Sequence, residues 1–250
     1  MKIFVCLANV PDTTTKIRFT DNNSKFDTSG VQWVINPWDE LALTRAMELK
    51  EDGSNSVDHV TVITVGTALA EPTIRKALAI GADDAIRIDT EPVDSHMVAF
   101  QLSEYFKTIS EDHIILAGIE ASDYNGSAVG GMLSEFLGIP SASAVTGITI
   151  EGSAISLKRE IDGGIETIEI IPPFVAIVQK GIAIDPRIPA MRGIMMARKK
   201  PLNVIAPAHA EALTKMDQFE LPQPKPPCKM IDADNAKSLV DLLQNEAKVL

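Results

Sequence analysis

Cysteine is nearly absent. Cys6 and Cys228 are the only two and form no CxxC pair, which excludes a disulfide framework and suits a reducing compartment. Histidine is equally sparse, with 4 residues scattered at no ligand spacing, so no zinc or haem site is expected. No apolar run approaches the ~20 residues of a membrane span. Residues 3–8 are apolar but follow one lysine and are too short for the core of a secretory leader, so a cytoplasmic protein without direct membrane insertion is expected. Positive charge is in deficit: 23 Lys+Arg against 34 Asp+Glu leave a net charge of -11 and a pI near 4.8. That balance argues against non-specific binding of nucleic acid or anionic membrane. Both standard phosphate-loop fingerprints, G-x-G-x-x-G and G-x-x-x-x-G-K-[ST], are missing. No acid–base or nucleophile constellation can be assembled either, so an enzyme acting alone is not expected.

What is present is length and rhythm. At 250 residues and 27.0 kDa the chain can form one large α/β domain, or a domain with an appendage, around a sizeable core. Apolar runs at residues 3–8, 60–65, 85–88 and 114–117 have strand length, and residues 38–49, 71–79 and 95–106 between them carry helical spacing. This alternation predicts a doubly wound, mostly parallel sheet of Rossmann-like type. The first helix has a clear start, with Asn36 as cap, Pro37 at the first helical position, and Asp39 and Glu40 in the first turn. Between residues 17–19 and 31–35 the polar stretch 20–30 reads as a hairpin or an irregular excursion. The rhythm changes after Pro140. Residues 144–150, 154–161 and 165–171 are β-rich, with a hairpin turn at Asp162-Gly163-Gly164, and residues 174–178 form a further buried strand. A helix over residues 190–200 carries Met191, Ile194, Met195 and Arg198 on one face and is stopped by Pro201. Methionines at that spacing serve a core or an adaptable contact surface. Residues 1–205 are thus expected to be a nucleotide-binding α/β domain. Residues 206–250 should be a Pro-rich linker, polyproline-like at 221–227, and a helical arm whose stripe of Ala236, Leu239, Val240, Leu243 and Ala247 must be buried on its own domain or on another chain.

Residues 113–140, HIILAGIEASDYNGSAVGGMLSEFLGIP, organise the rest. An apolar strand ends at Gly118, and a polar loop leads into a helical period over residues 126–137. In a parallel sheet this is where a nucleotide is held. Ligands lie beyond the carboxyl ends of the strands, and a helix starting there directs unpaired N–H groups and a positive dipole end at a phosphate. Gly126, Gly130 and Gly131 let the backbone approach a ligand, Ser127 adds a hydroxyl, and Asp123 or Asn125 offers a cap. The same residues also fit a capped helix whose small side chains pack on the sheet, and the loop by itself leaves both readings open. Val65 and Gly66 would share a sheet edge with Gly118, so a cleft between them is expected.

A set of motifs runs through the chain in order: Val10-Pro11-Asp12 with Lys16-Ile17-Arg18, then Asn36-Pro37-Trp38-Asp39-Glu40, then the residues 74–83, IRKALAIGAD. Residues 158–167, KREIDGGIET, and Asp185-Pro186-Arg187 with residues 194–201, IMMARKKP, complete it. Together they resemble the β subunit of electron transfer flavoprotein over nearly the whole chain. The resemblance implies an adenine nucleotide α-hydrolase-like fold, a heterodimer with an α subunit, and one FAD shared with it. That FAD would shuttle electrons from flavin-dependent dehydrogenases, such as acyl-CoA dehydrogenases, to a membrane or other acceptor. It further implies a structural AMP in the cleft described above. Carried over by position, the nucleotide contacts fall on Cys6, Asn36, Pro37, Trp38, Asp39, Val65 and Gly118, and on Asp123, Asn125, Gly126, Ser127, Ala128 and Val129, with the phosphate near residues 125–129. Partner docking falls on Asp185, Pro186, Arg187, Met191, Ile194 and Met195. The chain departs from the family in carrying Met191 where a leucine is expected and Thr13 where some relatives have an aromatic near the flavin. It also lacks the acid-Gly-acid-Thr run of relatives that split electrons between two acceptors and hold a second FAD. That bifurcating type and a free-standing adenine-nucleotide-binding module are the alternatives.

Overall fold

The computed structural model of the chain describes residues 1–225 and 227–250. The order begins with β1 (Lys2–Cys6), β2 (Asn9–Pro11), β3 (Phe19–Thr20), β4 (Lys25–Phe26), β5 (Trp33–Ile35) and α1 (Pro37–Asp52). It continues through β6 (His59–Val65), α2 (Glu71–Ile80), β7 (Asp84–Ile88), α3 (Ser95–Phe106), β8 (His113–Gly118) and α4 (Val129–Leu137). The rest is β9 (Ser141–Glu151), β10 (Ala154–Ile161), β11 (Gly164–Ile170), β12 (Phe174–Val178), α5 (Met191–Ala197), β13 (Leu202–Ile205) and α6 (Ala236–Asn245). One 9-stranded sheet carries the fold, in the order β11-β10-β9-β12-β8-β1-β6-β7-β13. It is parallel from β9 to β13, and β10 and β11 add an antiparallel hairpin at one edge.

β1 shows why the central strands read as unbroken apolar runs. Ile3 and Val5 point into the core layer shared with Leu43 and Leu78 of α1 and α2, whereas Phe4 and Cys6 point into the opposite layer with Leu102 and Leu133 of α3 and α4. Both faces are covered, so both sets of alternating residues must be apolar. Burying each large side chain contributes ~1.5–3 kcal/mol. β1 also sits where the winding reverses: the chain moves outward through β6 and β7, then returns to lay β8 on β1's other side. The crevice therefore opens beyond the carboxyl ends of β1 and β8.

Several local features differ from the sequence reading. The helix expected from residue 126 begins at Val129, because Asn125 and Ser127 adopt left-handed φ values of 54° and 47°, which no helix tolerates. Its cap position is Ala128, so neither Asp123 nor Asn125 caps it. Asn36 holds the cap position of α1 but makes no capping hydrogen bond, since its side chain is taken up elsewhere. The helix expected over residues 190–200 is only Met191–Ala197. β13, a half-exposed strand of 4 residues beside β7, was not foreseen. The linker expected at residues 221–227 includes residue 226, which lies outside the described residues.

Candidate functional site

Asp39 organises the crevice. It sits in the first turn of α1, nearly fully buried, and its Oδ2 accepts the N–H of Ala8 at 2.8 Å while Oδ1 accepts the N–H of Gly118 at 2.9 Å. One carboxylate thus ties the ends of β1 and β8 together across the winding reversal. Burial pushes this carboxyl up to about 7, against the donors from Ala8, Asn36 and Gly118, which pull it down. Gly118 is obligatory beside it, since a Cβ there would overlap Asp39 Oδ1. Asn36, also buried, donates from Nδ2 to the carbonyl of Glu120 at 2.8 Å and accepts the N–H of Ser122 on Oδ1 at 3.2 Å. The start of α1 therefore holds both the strand ends and the loop after β8.

That loop turns on the carbonyl of Ala121, which accepts the N–H groups of Tyr124 and Asn125 at 3.1 and 2.7 Å. Left-handed Ser127 followed by Ala128 at φ -113° and ψ -31° makes the backbone concave, the arrangement in which successive N–H groups converge as an anion nest. The free N–H groups of the first turn of α4 follow directly. A cavity of about 740 Å³ opens in front of them. Cys6, Asn36, Asp39, Val65 and Gly118 line it, as do Asp123, Gly126, Ser127, Ala128 and Val129. Pro37, Trp38 and Asn125 do not. Pro37 is exposed on the outer turn of α1, and Trp38 packs beside Gly118 with its own Cβ. Asn125 makes the bend behind the nest.

Among the described residues the cavity is lined by carboxylates from Asp12, Asp39, Asp94, Glu120 and Asp123, and by no lysine, arginine or histidine. Burial raises the carboxyl of Asp123, and burial together with Asp39 raises the thiol of Cys6. An anion here meets no cationic side chain and must be held by backbone N–H groups and hydroxyls. Ser122, which sequence reasoning passed over, has a buried Oγ with no hydrogen-bond partner and lines the same cavity. With essentially no accessible surface, that hydroxyl is an unpaired polar atom within the wall rather than one presented to the cavity. The roof was also missed: Phe19, Phe26 and Trp33 come from the excursion, and Met216 and Phe219 from beyond the sheet. Among the described residues, no group of acidic, histidine or cysteine side chains could hold a metal ion, and no helix is long and apolar enough to cross a membrane.

A family model described as "Electron transfer flavoprotein domain" matches residues 24–210. Over its full length the chain is 34% identical to the "Electron transfer flavoprotein subunit beta" of Bacillus subtilis, covering 100% of both chains. The protein of the same name from Syntrophomonas wolfei is 35% identical, covering 100% of this chain and 98% of that one, and the human one is 28% identical, covering 100% and 99%. The chain belongs to the electron transfer flavoprotein β-subunit family. The names of the family place it in electron transport, with flavin involvement.

Within this family member, the segment singled out for docking stands at the surface. Ile184, Ile188, Met191 and Met195 are 96%, 87%, 77% and 70% exposed, which excludes the core role open to those methionines. Asp185 and Pro186 are exposed beside them, and Ile194 is partly so. Arg187 is the anchor of the loop rather than a free contact. Its N–H donates to Thr44 Oγ1 at 2.9 Å and its guanidinium to Glu51 at 2.7 Å, both on α1. α5 is fixed to α2 by reciprocal capping. Arg75 of α2 donates to the carbonyls of Ala197 and Lys200 at 2.9 and 2.8 Å, and Lys200 Nζ donates back to Leu78 and Gly81 at 3.0 Å each. Gly193 allows the approach, because a Cβ there would strike the carbonyl of Ala79.

Proposed function

We propose that the chain is the β subunit of a heterodimer with an electron transfer flavoprotein α subunit, sharing one FAD that carries electrons from flavin-dependent dehydrogenases to an acceptor, and holding AMP in its own cavity. The observation that carries this reading is the full-length likeness to proteins named electron transfer flavoprotein subunit beta. The cavity supports the nucleotide. It lies at the winding reversal, it presents an N–H nest, and its charge suits one phosphate better than several. When bound, FAD would supply the redox chemistry; this chain's part is to orient and shield. The exposed apolar segment at residues 184–195 supports docking of a dehydrogenase, with Met191 at its tip. A free-standing nucleotide binder would have no use for that surface.

The test is co-expression with the α subunit, followed by size-exclusion chromatography read at the flavin bands. A 1:1 complex carrying flavin is expected, with little flavin on the β chain alone. A monomer retaining stoichiometric FAD without a partner would overturn the assignment.

A further inference from the structure

The cavity has a roof that does not belong to the sheet. Beyond β13 residues 206–225 form no helix or strand, yet they are held at successive points. Ala208 exchanges hydrogen bonds with the side chain of Gln101 on α3: Gln101 Nε2 donates to its carbonyl at 2.7 Å, and its N–H donates to Gln101 Oε1 at 2.9 Å. Gln101 is buried, and a buried amide needs both ends satisfied, which Ala208 does. Asp94 at the start of α3 divides its carboxylate. Oδ1 accepts the N–H of Met97 at 2.7 Å and caps the helix, while Oδ2 accepts the N–H groups of Leu213 and Thr214 at 2.7 and 2.8 Å. Phe219 then donates its N–H to the carbonyl of Asn23 at 2.8 Å and stacks on Phe19 with centroids 5.0 Å apart and planes 14° from parallel. Asp94 and Phe19 both line the cavity, so the chain between Thr214 and Phe219 crosses from one wall to another, and Met216 and Phe219 line it from above.

None of these attachments involves the sheet's core. Each is a few hydrogen bonds or one ring stack, so the segment can detach in a local opening while the strands stay paired. On the reading of the cavity as a nucleotide site, we propose that residues 208–219 are a detachable closure over it, latched by Asp94 at one end and by the Phe19–Phe219 stack at the other. A nucleotide behind the closure leaves at the rate at which the closure opens, not at the rate at which the sheet unfolds. Asp94 allows the two roles to be separated. Asp94→Asn keeps Oδ1, which caps a helix as well as Asp does, but sets an amide N–H against the N–H groups of Leu213 and Thr214. Phe219→Ala releases the other end without touching α3.

The experiment is a chase. The full chain, purified with its α subunit, is loaded with radiolabelled AMP and diluted into unlabelled AMP, and amide hydrogen exchange is followed on the same samples. Each variant is expected to release label about tenfold faster and to raise exchange at residues 213–214 by a similar factor. Exchange in β1 and β8 is expected to stay as in the parent. Label loss that is unchanged in both variants overturns the closure alone, because the nucleotide then leaves by another route. A parent complex that retains no AMP overturns the nucleotide reading and the closure with it.

Discussion

Asp39 concentrates at one residue what the winding reversal demands. Two strand ends diverge there with unpaired N–H groups, and one buried carboxylate satisfies both. Removing it leaves the N–H groups of Ala8 and Gly118 without partners in a partly buried place, at ~1–3 kcal/mol for each such group. Asp39→Ala is therefore expected to cost roughly 2–6 kcal/mol in urea unfolding. Its pH dependence has a defined sign. The carboxyl stands near 3.8 when unfolded and about 7 in the fold, so the folded state binds the proton more tightly. The stability contributed by Asp39 is fully present below the unfolded value and is lost as pH rises through the folded one. Urea titrations from about pH 4 to about pH 8 should show the parent losing stability relative to Asp39→Asn across that interval. Parallel curves would show that the carboxyl titrates alike in both states.

At the scale of elements, α5 shows how a short helix without a buried face is kept in place. Only Ala197 of its residues is buried, so hydrogen bonds to α2 must do what packing does not. Arg75→Ala deletes the donor to two carbonyls at its C-terminal end and is expected to cost ~1–3 kcal/mol, measured by urea unfolding. Met191→Ala and Met195→Ala change exposed side chains and are expected to leave stability within ~0.5 kcal/mol. On the docking reading, the same pair of changes slows electron transfer from the dehydrogenase severalfold at unchanged flavin content; an unaltered rate removes Met191 from the docking surface. The elements most legible from sequence were those buried on both faces, because a run such as residues 60–65 can only be a central strand. The late start of α4 was not legible, since Gly126 and Ser127 fit helical spacing and only the backbone's left-handed turn excludes them. β13 was hidden for the opposite reason. Its 4 residues are half-exposed and have no pattern, and its place beside β7 depends on where Lys200 and Arg75 pin the preceding helix.

At the scale of the whole molecule, the net charge of -11 continues into the cavity, where carboxylates line the wall and, among the described residues, no cation does. The lower half of this site was legible in the sequence, because a strand, a glycine and a loop followed one another. The roof was not, because Phe219 and Phe19 meet only once the whole chain is folded. The charge pattern bears on the occupant. At about 740 Å³ the cavity lies within the ~300–1,000 Å³ usual for ligand sites, so room alone does not choose between a mononucleotide and a dinucleotide. Phosphate count does. One phosphate can be held by the N–H groups of the nest and of the first turn of α4, whereas a pyrophosphate brings more charge into a space already occupied by Asp39 and Asp123. The Asp39 carboxyl, raised to about 7, can take up a proton that eases the first phosphate, but it provides no partner for a second. Acid release of cofactors from the purified heterodimer, counted by chromatography, is therefore expected to give one FAD and one AMP. Two FAD and no AMP would mean that backbone amides alone hold the pyrophosphate, and the carrier would then belong with the bifurcating type.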